Sequence, residues 1–276
     1  GNNPSVGCVI VKNNRIISIG QTGYNGRPHA EQNAILNCSE NLKDSKMYVT
    51  LEPCNHYGKT PPCTKNIIKN QIREVYYPIE DIDLKVKGKS SLILENSNIK
   101  VKKGLLRKEA LNLYNSYYIN RKKKLPYVIG KIALSKNKII YSDTTRRITN
   151  KISDKLSHYL RFKSDGILIT SKTLNIDDPK LNCRLQGYTK FSPKRIILDK
   201  NLKINLKSYI VKSIKDKNTI IFYNSNNRVK KNFLIKKGAF LIKQPIKRDK
   251  NFDLKRILKK LYMVGIKNLL VEGGDR

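Results

Sequence analysis

The sequence predicts an α/β protein built from two domains. Three observations carry that expectation. Short runs rich in Val, Ile and Tyr alternate with stretches whose apolar residues recur at helical spacing, the order that makes layered α/β structure. The chain of 276 residues exceeds the usual size of one domain. The basic run Arg121-Lys122-Lys123-Lys124 is followed by Leu125-Pro126, and the residue before a proline avoids helical geometry. The expected domains are therefore residues 1–124 and 125–276.

The elements follow in order. Residues 6–12 and 15–21 read as strands joined by Asn13-Asn14, a hairpin signal. A helix opens at about His29 and runs through Ala30, Ala34, Ile35 and Leu36. Strand character returns over 46–51, then helix over 64–70, strand over 74–77, helix over 90–95 and strand over 99–102. Leu106, Ala110, Leu113, Tyr114 and Tyr117 are spaced for one buried face, which predicts a single helix over 105–120. A second set starts at Tyr127, with strands over 127–133, 166–170, 195–198, 219–223, 239–242 and 268–271 and helices over 151–162 and 253–263.

Composition narrows the class. No apolar run approaches the roughly 18 residues that span a bilayer, so no membrane partner is expected. The start at Gly1-Asn2-Asn3-Pro4 lacks the basic and apolar stretches of a signal peptide and reads as the middle of a longer chain. Five cysteines at irregular spacing make no disulfide framework and point to a reducing, cytoplasmic compartment, with Cys8 and Cys38 as ordinary buried or partly buried thiols and Cys183 without a motif. The net charge of +36 raises nucleic acid as a partner. Lys is scattered through nearly every segment rather than clustered, so a solvated surface that attracts an anionic, phosphorylated substrate is the preferred account.

Three short pieces carry chemistry: Pro28-His29-Ala30-Glu31, Glu52-Pro53-Cys54 and Pro61-Pro62-Cys63. One imidazole and two thiolates suit zinc with the fourth position open to water, the arrangement of a catalytic site. His29, Cys54 and Cys63 are the expected ligands. Glu31, two residues after the first ligand on the same helix, is placed to move protons without binding the ion. The pattern resembles the H-x-E and P-C-x-x-C signature of zinc nucleobase deaminases. Here residues 55–62 separate the two cysteines in place of two residues, and Gly58 with Pro61-Pro62 suits a loop that lets His56 and Lys59 overhang the pocket.

Longer stretches make the resemblance specific. Asn2-Asn3-Pro4-Ser5-Val6-Gly7, Pro28-His29-Ala30-Glu31 and the run from Val49 through Glu52-Pro53-Cys54-Asn55-His56-Tyr57-Gly58-Lys59-Thr60-Pro61-Pro62-Cys63-Thr64 are similar to the bifunctional riboflavin-biosynthesis deaminase/reductase family. The second half resembles the same family through Pro126-Tyr127-Val128, His158-Tyr159-Leu160-Arg161, Asp177-Asp178-Pro179-Lys180-Leu181 and Val271-Glu272-Gly273-Gly274. The resemblance implies a cytidine-deaminase-like α/β/α domain followed by a dihydrofolate-reductase-like α/β domain, with Zn2+ and NADPH as cofactors. It also implies deamination of a diaminopyrimidinone ribosyl phosphate and then reduction of the ribosyl group. By the same resemblance Asn3, His56 and Lys59 contact the pyrimidine or its ribosyl phosphate. Ala133, Arg147, Thr173, Asp177 and Gly274 lie along NADPH, and Thr145, Arg161, Leu181, Arg184 and Glu272 face the phosphoribosyl substrate.

Arginines at 161 and 184 suit a phosphate clamp, because the guanidinium fork matches phosphate oxygens. A homo-oligomer through the second domain is expected of the full-length form. Some positions depart from the family: Thr22 stands where His is common, Ser135-Lys136-Asn137-Lys138 replaces a Ser-x-Asp-Gly turn, and Arg147 replaces a frequent Trp. The helix before Asn3 and the last reductase strands also lie outside the sequence. Two competing readings are a deaminase with a non-catalytic second domain and a nucleic-acid-directed deaminase or binding protein.

Overall fold

The computed structural model describes residues 4–23, 26–58, 60–134, 150–214 and 219–273. The expected site residues Asn3, Lys59, Thr145, Arg147 and Gly274, and the departure at Asn137, lie outside them. Contacts divide the chain into two units, residues 1–122 and 123–276.

The first unit begins with strands β1 (Gly7–Lys12) and β2 (Arg15–Gln21), paired antiparallel. Asn13 and Asn14 between them both have positive φ, at 49° and 60°. That is the turn whose twist suits adjacent strands, and Asn tolerates it well. β3 (Lys46–Val49), β4 (Glu74–Tyr77) and β5 (Lys100–Lys103) complete a sheet of order β2-β1-β3-β4-β5. β1 runs antiparallel to β3, while β3, β4 and β5 run parallel.

Helices α1 (Ala30–Leu36), α2 (Cys63–Lys69) and α3 (Lys89–Glu95) cover this sheet. Ala30 and Ala34, one turn apart, are fully buried in a core with Ile10, Met47, Ile67, Val75 and Tyr77. α1 lies so close to β2 that a Cβ on Gly20 would collide with the Ala30 carbonyl oxygen and the Ala34 nitrogen. Glycine is thus the residue that lets the helix, and His29 at its start, approach the sheet.

The single helix expected over 105–120 is two: α4 (Arg107–Leu113) and α5 (Asn115–Lys123). The break falls at Tyr114, whose backbone leaves helical geometry at φ −96° and ψ 8°. Tyr114 is buried and its hydroxyl bonds Thr50 at 2.6 Å and the Ser5 carbonyl oxygen at 3.1 Å. Tyr117 donates to Asp81 at 2.9 Å and Tyr118 to the Glu80 carbonyl oxygen at 2.6 Å. Apolar periodicity does not register these three polar tethers.

The second unit holds strands β6 (Tyr127–Lys131), β7 (Gly166–Thr170), β8 (Lys194–Leu198), β9 (Thr219–Tyr223), β10 (Phe240–Lys243) and β11 (Asn268–Glu272). They form one sheet of order β10-β9-β8-β7-β11-β6, and every described pairing is parallel. Such strands bury both faces and read as continuous apolar runs. Ile197 and Ile221 join one core and Ile196, Ile220 and Phe222 the other. Asp165 accepts from the backbone N–H groups of Lys267 and Asn268 at 2.9 and 2.8 Å, which fixes β11 beside β7.

α6 (Lys151–Phe162) and α10 (Leu254–Met263) fall where the periodicity predicts them. α7 (Ser171–Asp177), α8 (Tyr209–Lys212) and α9 (Arg228–Lys236) carry no comparable expectation from sequence. Each is shorter than three full turns, and each opens on a capping side chain, Thr170, Ser208 or Asn227, rather than on a long apolar stripe. No helix among the described residues is long and apolar enough to cross a membrane.

Candidate functional site

Three ligand atoms converge in the first unit. The donor atoms of His29, Cys54 and Cys63 all lie within 4.8 Å of one another. His29 Nδ1 stands 3.4 Å from each sulfur. Tetrahedral zinc bonds to nitrogen and sulfur imply an edge of about 3.6 Å, so the donor set fits the ion in type and in spacing. Backbone geometry supplies the convergence. His29 is the extended residue before α1, at φ −70° and ψ 157°, and Pro62 plays the same part before α2, which puts Cys63 at that helix's first position. Proline is suited to a helix start because its fixed φ matches and its missing N–H has no partner there to lose.

Cys54 is fixed by its surroundings. Its sulfur accepts from the Cys63 N–H at 3.3 Å, and its carbonyl oxygen accepts from the Thr64 N–H at 3.1 Å. Two residues earlier, the buried Glu52 carboxylate accepts from the N–H groups of Asp81, Gly88 and Ser90 at 3.0, 3.0 and 3.2 Å. The Ser90 hydroxyl donates to the Pro53 carbonyl oxygen at 2.6 Å. Glu52 thereby ties the turn that carries Cys54 to residues 81–90, which form a wall of the pocket.

The two thiols hold their protons unequally. The hydrogen bond with the Cys63 side chain, helped by that with His29, brings Cys54 down to about 4 against the opposing effect of burial, while the Cys54 contact and burial push Cys63 up. The hydrogen bond to Cys54 pushes the His29 imidazole up. A divalent cation that replaces these shared protons takes both sulfurs as thiolates. Glu31 is 4% exposed, and burial raises its carboxyl to about 7. It lines one pocket of about 140 Å3 with His29, Cys54, His56, Thr22 and Arg27. Thr22 is engaged with the backbone, accepting from the Val6 N–H at 2.8 Å.

The second unit gathers its own polar cluster. Arg161 on α6 makes a bidentate pair with Glu272 at the end of β11, Nε to Oε1 at 2.9 Å and Nη2 to Oε2 at 2.8 Å. Its Nη1 donates to the Asn182 carbonyl oxygen at 3.3 Å. Arg184 reaches the same residue, Nη1 to Asn182 Oδ1 at 3.1 Å, and its N–H donates to His158 Nδ1 at 3.3 Å. Leu181 is buried with φ 52°, a left-handed conformation rare for leucine that its packing in the core holds in place. Thr173 sits in the first turn of α7 with its Oγ1 3.2 Å from that of Thr170, and Asp177 is the helix's exposed last residue.

These residues frame the carboxyl ends of the parallel strands, where open α/β sheets bind ligands. Thr170 ends β7, Glu272 ends β11, and Ala133 follows β6 by two residues. Beside Thr170, a crevice of about 680 Å3 is lined by Leu198, Lys200, Lys203, Lys247 and Lys255. Asp199 in that lining is spent on the N–H groups of Lys203 and Ile204, at 2.8 and 2.7 Å. Asp249 and Asp253 also line the crevice, so the four lysines outnumber the carboxylates by one and leave it able to take an anionic ligand.

Comparison with known proteins finds a match for each unit. The cytidine and deoxycytidylate deaminase zinc-binding region matches residues 1–79, and the RibD C-terminal domain matches residues 127–276. Riboflavin biosynthesis protein RibD of Aquifex aeolicus is 35% identical over 276 residues, covering 99% of this chain and 75% of that protein. The chain belongs to the RibD family. The crystal structure of a diaminohydroxyphosphoribosylaminopyrimidine deaminase/5-amino-6-(5-phosphoribosylamino)uracil reductase from Thermotoga maritima matches with a TM-score of 0.83 at 32% identity, covering 98% of this chain and 74% of that one. RibD of Acinetobacter baumannii matches with a TM-score of 0.79 at 30% identity, over 99% and 75% of the two chains. The chain is accordingly a bifunctional deaminase and reductase of riboflavin biosynthesis, with zinc and NADPH as cofactors.

Within that family setting the structure brings together the expected His29, Glu31, Cys54 and His56 in one pocket wall, with Cys63 joining His29 and Cys54 in the ligand cluster, and Arg161, Arg184 and Glu272 around Asn182. Sequence reasoning gave no part to Arg27, Glu52, Asp81, Tyr117 or Arg121 at the first site, nor to the crevice lysines at the second. Glu52 had a visible signal, an acidic residue beside an expected ligand. The arginines and lysines had none, on a chain carrying 57 of them.

Proposed function

We propose that residues 1–124 hydrolyse the ring amine of a diaminopyrimidinone ribosyl phosphate and that residues 125–276 reduce its ribosyl group with NADPH. One observation supports the first step above all others: His29, Cys54 and Cys63 meet within 4.8 Å beside the buried carboxyl of Glu31. When bound by these ligands, zinc supplies the Lewis acidity that makes a water molecule nucleophilic at neutral pH. Glu31, adjacent to the ligands and held by α1, takes the water proton and delivers it to the departing amine. His56 stands at the exposed side of the pocket and contacts the ribosyl part of the substrate.

For the second step, Ala133, Thr173 and Asp177 with the crevice lysines hold NADPH along the carboxyl ends of the strands, and the cofactor supplies a hydride. Arg184 binds the substrate phosphate. The Arg161 fork is engaged by Glu272, so Arg161 acts by orienting that carboxylate and the Asn182 backbone toward the substrate.

The test is an assay of the protein for ammonia release and NADPH oxidation with the phosphorylated pyrimidine. Cys63→Ser is expected to lose most bound zinc and ammonia release. Full zinc content with full ammonia release in that variant would remove Cys63 from the ligand set.

A further inference from the structure

The pocket over the metal cluster is lined by two guanidinium groups and four carboxyl groups, and their partners differ. Glu52 is held by three backbone N–H groups. Asp81 accepts from the Tyr117 hydroxyl at 2.9 Å and the Asp83 N–H at 2.9 Å. Asp83 faces Arg121 at 3.9 Å, and Arg121 also lies 5.5 Å from the Tyr117 ring centroid. Glu31 is buried beside the ligands. Among the described residues Arg27 has no such counter-charge: no carboxylate lies within ion-pair distance of it, and its hydrogen bond goes from Nη1 to the neutral Thr60 hydroxyl at 2.6 Å.

A guanidinium offers five donors in a rigid fork that matches phosphate oxygens. At Arg27 most of that fork is left for a ligand. The residue is half-buried, so the charge is less screened than on an open surface. It is also anchored at two points. Its backbone leads directly into Pro28-His29, and its side chain reaches Thr60 in the stretch between the two thiolate ligands.

We propose that Arg27 is the phosphate-recognition residue of the deaminase pocket, selecting a phosphorylated pyrimidine over its unphosphorylated riboside. This rests on the deaminase reading above. The competing account gives Arg27 only the task of tying Thr60 in place.

The experiment compares zinc-loaded wild type, Arg27→Gln, Arg27→Lys and Thr60→Val. Ammonia release is measured with the phosphorylated pyrimidine and with the same compound after phosphate removal, and calorimetry measures binding of inorganic phosphate. Loss of a charge-assisted contact predicts that Arg27→Gln raises KM for the phosphorylated substrate about tenfold or more, leaving kcat within about twofold. Turnover of the riboside stays at the wild-type level, inorganic phosphate binding weakens in parallel, and Arg27→Lys lies between the two. Thr60→Val stays near wild type. The proposal fails if Arg27→Gln leaves the preference for phosphate intact, if it harms both substrates equally, or if Thr60→Val reproduces it. A wild type that releases no ammonia from either compound overturns the deaminase reading instead, and phosphate binding by wild type and Arg27→Gln still decides the role of Arg27.

Discussion

At the scale of single residues, Glu31 separates proton transfer from metal binding. Its carboxyl is 4% exposed and on the same helix as the ligand His29, yet it is not one of the three converging donors. Glu31→Gln keeps nearly the same shape and removes the capacity to carry a proton. The variant is expected to bind zinc as wild type does and to lose ammonia release by about a hundredfold to ten-thousandfold. Metal analysis beside steady-state rates checks this, and near-normal turnover would exclude Glu31 from the chemistry. His29, Glu31, Cys54 and Cys63 were legible in the sequence because each lies in a short piece whose residue types are tied to one chemistry. The partnership of Arg161 with Glu272 was not, because it spans 111 positions and no local pattern marks it. The sequence presented two residues facing a substrate, and folding joins them to each other.

At the scale of elements, the placement of the metal ligands depends on how near α1 lies to the sheet. Gly20 on β2 leaves no room for a side chain against Ala30 and Ala34. Gly20→Ala should push α1 outward, costing about 1–3 kcal/mol of stability as overpacking does. It should also weaken zinc affinity, since His29 moves with the helix start. Thermal unfolding with and without zinc measures both effects. An unchanged melting temperature and unchanged zinc binding would show that α1 accommodates the methyl group. The strands of both sheets were readable because β-rich runs and the Asn13-Asn14 turn are local signals. The break at Tyr114 was not readable, since hydroxyl tethers to Thr50 and Ser5 override a continuous helical stripe. Helices α7, α8 and α9 escaped for a related reason: in each, only Leu174, the pair Ile210 and Val211, or Leu234 is buried, too few to set a period.

At the scale of the whole molecule, two units, each with its own hydrophobic clusters and its own site, imply activities that can be lost one at a time. Each unit builds its site from its own elements: the zinc ligands from α1, α2 and the turn after β3, the arginine cluster from α6, β11 and the segment after α7. Arg184 is the residue on which to test the second site. It is exposed, and its side chain meets only the neutral Asn182 amide among the described hydrogen bonds, so replacing it leaves no buried charge behind. Arg161 offers no such clean test, because its loss would strand the Glu272 carboxylate at 12% exposure, and breaking a buried pair destabilises strongly. Lys at position 184 keeps the charge and loses the planar fork. Arg184→Lys should therefore raise the KM for the phosphoribosyl substrate of reduction by about tenfold. The KM for NADPH should change little, and ammonia release should match wild type. Cys63→Ser should give the opposite pattern, losing ammonia release while the reductase still oxidises NADPH when supplied with the already deaminated pyrimidine. If Arg184→Lys instead weakened NADPH and left the substrate untouched, Arg184 would belong to the cofactor and the two halves of the second site would exchange roles.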